Sequence, residues 1–402
     1  MKRACPASRA ASTRGFSIVE LMVSVVIGLL ALMFATRLIA GGEVSKQNAL
    51  GGSDAMQNGI TAMFSISGDI SQAGFGLNDP ILAGCDTLML DTGGTGYQML
   101  QATRGTNTTI TPLAAAVIQN NGLNPDKIAL SSGGAITGTG SARLTEAYGN
   151  GAVLAIDRKA YGFALNDVIV VAPEVAPSTG SKCSLVQLSA APNSGTTLNF
   201  AAGAGLRFNN GTLGNAFSIK SRVFNLGPAS KLAFHTWSVK NGFLQLAATD
   251  VAGTEVTAAT VADNIVSIKA QYGFDTRVGT AFTPESGTVV SEWKADMIDA
   301  DKDAVVGSAG DYQRISAIRL AVVARSKTAE RPAADGTCDA TPDSQAPEVF
   351  KVTQAGTTAP ASIKPNVIVT GDTVNWKCYR YRVFETVVPI RNTAWRPTAW
   401  AK

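Results

Sequence analysis

The chain has 402 residues, room for two or three average domains or for one domain joined to a long non-globular element. With 45% hydrophobic and only 16% charged residues it is not intrinsically disordered, and with one apolar segment of spanning length, near residues 16–40, it is not a polytopic membrane protein. A net charge of +4 is too weak to indicate nucleic acid, and Lys2, Arg3, Arg9 and Arg14 account for all of it, leaving 30 basic against 30 acidic residues.

Residues 1–15, MKRACPASRAASTRG, form a basic leader without an acid. FSIVELMVSVVIGLLALMFATRLIA follows, and Leu21 to Thr36 carries no charge. With its flanks the segment reaches the roughly 20 residues that cross a bilayer core of about 30 Å. The preceding positive charges keep the start in the cytoplasm and send the rest outward. An ordinary secretory signal, cut near Ala40, is the competing reading. Against it, the apolar run exceeds the usual signal core of about 7–15 residues, no A-x-A site follows, and Glu20 is left unexplained. A carboxylate is costly at the membrane centre but tolerated near a helix N-terminus, where the macrodipole favours negative charge.

Gly15-Phe16-Ser17-Ile18-Val19-Glu20-Leu21-Met22 resembles the processing motif of type IV pilins and type II secretion pseudopilins. The resemblance implies that a prepilin peptidase cuts between Gly15 and Phe16 and methylates the new amino-terminal Phe16. It also makes Glu20 the fifth mature residue, the one that neutralises the charged amine of an adjoining subunit in a filament core. Neither charge could stand alone in such a place.

Past Arg37 the pattern becomes amphipathic. Met56, Ile60, Met63 and Ile70 recur at spacings of four, three and seven, which predicts one buried helical face. Gly74 and Gly76 mark the stop. Unbroken from Phe16 to Gly74, such a helix would be about 88 Å long at 1.5 Å per residue. Gly41-Gly42 and Gly51-Gly52 are expected to bend or locally melt it, at about 1 kcal/mol per glycine.

From Leu77 onward short apolar runs alternate with Gly, Ser, Thr and Asn clusters, the pattern of strands and turns. Strands are expected at Lys127–Leu130, Val168–Val171, Leu232–Val239, Ile265–Tyr272, Ile315–Ala324 and Tyr379–Val388. Helix-length patterns are scarce among them, which argues against βαβ units. Stretches 92–112, 131–142 and 191–216, rich in Gly, Thr, Asn and Ala, read as long loops. The fold class is therefore α+β: a long amino-terminal helix, half of it membrane-spanning, on a large, mainly antiparallel β-rich head. The divisions are leader 1–15, helix 16–76 with its transmembrane part at about 16–40, and head 77–402.

Cys5 lies in the leader. Cys85, Cys183, Cys338 and Cys378 remain, an even number in an exported chain, which favours disulfides over zinc because neither tight C-x-x-C spacing nor neighbouring histidines occur. Of three possible connectivities, nearest pairing along the chain favours Cys85–Cys183 and Cys338–Cys378.

Sites for chemistry are few. His235 is the only histidine, and its neighbours Phe234 and Trp237 read as a half-buried structural strand, not a catalytic triad. No G-x-x-x-x-G-K-[ST] loop occurs. Asp299, Asp301 and Asp303 form a D-x-D-x-D run that would suit a structural calcium ion. It departs from an EF-hand, with Ala304 at position six, Gly310 at twelve and Asp311 one residue late; the plain alternative is a solvated acidic turn. Arg380 and Arg382 interleave with Tyr379 and Tyr381, but strand alternation puts arginines and tyrosines on opposite faces, so they build no stacking groove for nucleic acid. No cofactor and no enzymatic activity are expected.

The head is similar to that of large minor pilins of the PilW family. The matching stretches are Ser71–Gly76 leading to Cys85, Asn166–Val171 leading to Cys183, Asn264–Asp275, Ile315–Ser326 with Arg319 and Arg325, and Cys378–Thr386 closing with Pro389-Ile390-Arg391-Asn392. Loops 92–160 and 191–225 have no counterpart. The resemblance implies a non-enzymatic, inner-membrane subunit with its head in the periplasm, later part of the pilus tip at the cell surface. It also implies roles in priming type IV pilus assembly and partnership with other minor pilins, the major pilin and a large tip adhesin. A type II secretion pseudopilin and an adhesin that binds a surface ligand through the unmatched loops are the alternatives.

Overall fold

A computed structural model of the chain describes residues 15, 17–77, 79–91, 97–134, 141–174, 182–203, 205–251, 257–282, 287–333, 335–352 and 362–393. The chain divides into two compact units, residues 1–51 and 52–402. Helix α1 (Ile18–Gln72) is continuous in secondary structure and passes through both glycine pairs without a break. In the first unit its Ile18–Ile39 portion has 22 residues, a mean hydropathy of 2.6 and no buried residue. That is long and apolar enough to cross a membrane.

In the second unit the remainder of α1 leads into β1 (Cys85–Met89), β2 (Ala102–Arg104), β3 (Thr108–Ile110), β4 (Pro112–Leu113), β5 (Ala116–Gln119) and β6 (Lys127–Ser132). Next come β7 (Ser141–Arg143), β8 (Val153–Ala155), β9 (Asp167–Ala172), β10 (Lys182–Gln187), β11 (Thr197–Asn199) and β12 (Arg222–Pro228). The last third holds β13 (Ala233–Lys240), β14 (Phe243–Ala248), β15 (Ala259–Asp263), β16 (Ile265–Phe274) and β17 (Glu292–Lys294). Short helix α2 (Ala309–Gln313), β18 (Ile315–Arg325) and β19 (Tyr381–Pro389) complete it. The six strands expected from apolar runs are all present as β6, β9, β13, β16, β18 and β19.

Three sheets build the head. Their orders are β4-β1-β10-β9-β12-β7, β15-β14-β13-β6-β5 and β17-β16-β18-β19, with β11-β8 and β2-β3 as small two-stranded additions. Pairing is antiparallel except for β1 with β10. The first sheet is covered on both faces, which explains the uninterrupted Val168-Ile169-Val170-Val171-Ala172 run. Val168, Val170 and Ala172 face a core with Leu185, Phe224 and Phe234. Ile169 and Val171 face a second core with Leu154, Phe200 and Val223.

The stretches read as loops are more structured than their composition suggests. Their described parts contain β2, β3, β7 and β11, and Phe200, Phe208 and Leu213 are buried. Residues 92–96 and 135–140 lie outside the described residues.

The helix buries the expected Ile70 and packs the half-buried Met63 against the same core, but the other two expected residues face outward. Met56 is 55% and Ile60 48% exposed, whereas Ala55, Ala62, Ile66, Ile70 and Ala73 are buried, with Gly59 in register between them. The buried positions are spaced 4, 3, 4, 4 and 3 apart, so the periodicity is helical. Small residues win because the head comes close: a Cβ at Gly59 would run into the Phe384 ring of β19. This face meets Ile128, Leu130, Trp237, Tyr272, Ile318 and Leu320 of two sheets in one core.

Candidate functional site

At the amino terminus the structure places Gly15 and Ser17 before α1, both exposed. Leader residues 1–14 and Phe16 lie outside the described residues. Ser17 accepts the first helical hydrogen bond, from Leu21 N at 3.0 Å. Glu20 sits in the first turn of α1, exposed, beside the positive end of the helix dipole. Its local position suits a carboxylate offered to an external cation.

The other end of α1 is fixed by three side chains that sequence reasoning did not connect. The Nδ1 of His235 lies 2.8 Å from Asp69 Oδ2, and its Nε2 lies 2.7 Å from Asp250 Oδ1. Asp69 Oδ2 also accepts from Trp237 Nε1 at 2.7 Å. Burial would lower the imidazole pKa, but the hydrogen bonds and charges of Asp250 and Asp69 outweigh it and raise it to about 9. The single histidine is thus a cation clamped between the helix and the β13–β14 hairpin, with no free ring nitrogen for proton transfer. Asn392 completes the junction by donating to Gln72 O and Ala73 O at 3.0 and 3.1 Å, satisfying carbonyls left open at the helix end. Gly74 and Gly76 adopt φ of 82° and 73°, which end the helix as their sequence positions predict.

The four head cysteines pair as Cys85–Cys183 and Cys338–Cys378, with Cα separations of 5.9 and 4.8 Å. The first pair joins β1 to β10 inside the core that holds Val168, Val170 and Phe224. The second ties the residues entering β19 to the 326–345 segment.

Asp299, Asp301 and Asp303 converge, one carboxylate oxygen of each lying within 4.8 Å of the others. Oxygen donors so spaced suit a hard cation. The same carboxylates also accept from their own loop: Asp299 from Asp303 N and Ala304 N, Asp301 from Asp303 N, Asp303 from Val305 N. Asp311 is the buried anchor beneath them, accepting from Ala300, Asp301, Gly307 and Ser308 N–H groups. Burial pushes its carboxyl up to about 6. At Gly310 a Cβ would collide with the Asp301 carboxylate and displace it, so glycine leaves that carboxylate its place.

Arg380 pairs with Glu330, and Arg382 is exposed. Tyr379 and Tyr381 turn inward, Tyr379 beneath the Arg325 guanidinium at 4.1 Å and Tyr381 against Trp376. The two residue types therefore lie on opposite sides of the segment.

Residues 237–392 match the family described as type IV pilus-assembly protein W, PilW. No curated protein and no solved structure matches the chain. The matched stretch runs from within β13 through β19 to Asn392 and so includes the helix-capping asparagine, the whole β17-β16-β18-β19 sheet and the β13–β15 part of the other sheet against which α1 packs. Over this stretch the chain is similar to a family of type IV pilus-assembly components, consistent with a PilW-type protein, and among the described residues it carries one amino-terminal helix long and apolar enough to span a membrane.

Proposed function

We propose that the chain is a minor pilin that primes type IV pilus assembly and stays in the tip complex. In this reading a prepilin peptidase removes residues 1–15 and methylates Phe16. Helix α1 holds the subunit in the inner membrane, its head on the periplasmic side, until it docks with other minor pilins, the major pilin and a large tip adhesin. Glu20 neutralises the amine of a neighbouring subunit. No bond chemistry is asked of the head. The observation that carries the reading is the PilW match, on a chain whose Gly15-Phe16…Glu20 motif opens an exposed apolar helix.

Mass spectrometry of the amino-terminal peptide of the protein recovered from cells tests it. Methylated Phe16 is expected, and a start after Ala40 overturns the scheme. The PilW match favours a pilus over a type II secretion filament, and co-purification with components of one or the other machine decides between them. An adhesin that binds a surface ligand through loops 92–160 and 191–225, which lie ahead of the matched stretch, is the second reading. Replacing the exposed Thr196, Thr197 and Asn210 with alanine should then lower attachment while leaving piliation intact; parental attachment removes that role.

A further inference from the structure

The three main sheets have six edges, and five are short: β4 has 2 residues, β7 and β17 have 3 each, β5 has 4 and β15 has 5. The sixth edge, β19, has 9. Proteins avoid edge-to-edge association with short edge strands, bulges and prolines. Strand β19 has none of these along Tyr381–Val388, and its register with β18 runs unshifted from Tyr381 to Pro389.

Which backbone groups are open follows from the ladder. Ile390 N bonds to Ser316 O, and Ser326 N to Arg380 O, so the even-numbered residues of β19 face β18. The N–H and C=O groups of Tyr381, Val383, Glu385 and Val387 therefore point away from the sheet, and those four N–H groups have no backbone partner among the described residues. The edge is accessible: Val383 and Val387 are each 38% exposed, and Arg382 and Glu385 are exposed too.

We propose that β19 is a docking edge, completed by an extended segment of another protein that adds as a fifth strand to the β17-β16-β18-β19 sheet. Its side chains state what the incoming strand must carry. Val383 and Val387 share one face, four residues apart, and call for apolar residues at matching positions. On the opposite face Arg382 has no hydrogen bond or ion pair among the described residues and calls for a carboxylate. Glu385 on the valine face is already paired with Arg319. A second copy of this chain fits poorly: the antiparallel register that opposes Val383 to Val387 also opposes Glu385 to Glu385, and like charges there are destabilising. The proposal rests on the edge geometry and does not depend on processing at Gly15.

The test uses the full chain expressed in its own cells. Val383→Pro and Val387→Pro each delete an outward N–H while leaving the β18 ladder intact, because an edge tolerates proline where its N–H faces outward. Val383→Thr keeps the N–H and serves as control. The readouts are the amount of chain in sheared surface filaments relative to membranes, the melting temperature in detergent and the mass of the amino-terminal peptide. Expected is at least a tenfold loss of incorporation in both proline variants, with unchanged melting, an unchanged amino terminus, and parental incorporation for Val383→Thr. Parental incorporation of both proline variants overturns the edge while leaving the processing scheme standing. If a proline variant melts early, Arg382→Glu decides, since it leaves the backbone unaltered: a tenfold loss supports the edge, parental incorporation overturns it. Self-association of the parent in detergent that Val383→Pro abolishes would assign the edge to a second copy and overturn the proposed partner.

Discussion

His235 shows how two acids can hold one residue as a structural link. Its ring is held at both nitrogens, and its pKa of about 9 keeps it charged at neutral pH. Because the folded value lies above the unfolded value of about 6.5, the charge adds stability that is fully present below pH 6.5. That stability is lost as pH rises through 9, and its upper bound is on the order of 3 kcal/mol. Thermal melts of the parent should therefore fall between pH 7 and 10, while His235→Gln melts lower at pH 7 and loses most of that slope. An equal slope in both proteins would assign the alkaline loss to another group. The composition around His235 made a structural role legible, since a histidine between Phe234 and Trp237 on an apolar strand reads as core. Its partners were not legible. Asp69 lies 166 positions away, on a separate element that local spacing does not connect to the strand. Likewise Asp311, which organises the acidic loop, falls outside the spacing by which a calcium loop is recognised.

Among the elements, the longest buried strands were readable and the shortest were not. Strands β9, β16 and β18 are buried on both faces; the continuous apolar run of β9 and the length of the apolar-rich β16 and β18 stand out in a glycine-rich chain. Strands β7, β8 and β11 have 3 residues each, too few to show a period, and their burial comes from phenylalanines elsewhere in the chain. The helix face was legible at Met63 and Ile70 but not at Met56 and Ile60, because close approach of the head selects small residues at Ala55, Gly59 and Ala62. Gly59 tests this. Alanine is favoured over glycine in a helix by about 1 kcal/mol, yet overpacking against Phe384 costs about 1–3 kcal/mol. Gly59→Ala should thus lower stability to urea despite its better helix propensity, and should become stabilising in a Phe384→Ala background. The same loss in both backgrounds would refute the contact. Strand β16 carries a second dependence on tertiary context, because Lys269 lies buried against Asp126 and also donates to Gly122 O and Asn124 O. Lys269→Ala leaves a buried carboxylate without its cation, so a loss of about 3–5 kcal/mol is expected in denaturant unfolding. Lys269→Ala together with Asp126→Ala should recover part of it, because the stranded charge is gone.

For the whole molecule, the division of labour between the two units sets what each region contributes to assembly. The head is held by two disulfides, several separate cores and the clamp on α1, and none of these involves Glu20. Glu20 is exposed at the start of an apolar helix where an acid gains nothing from its own chain beyond the helix dipole. In the proposed filament its value would come from a partner charge met in an apolar setting, where either charge alone costs several kcal/mol. Removing the acid should then leave folding untouched and penalise only association. Glu20→Gln keeps shape and hydrogen bonding but loses the charge. It should lower recovery in sheared filaments tenfold or more, since about 1.4 kcal/mol corresponds to each factor of ten. Melting temperature and membrane content should stay at parental values, and Glu20→Asp should restore part of the incorporation. Unchanged incorporation of Glu20→Gln would mean that the carboxylate meets no cation during assembly, and the proposed charge pairing in the filament core would have to be abandoned.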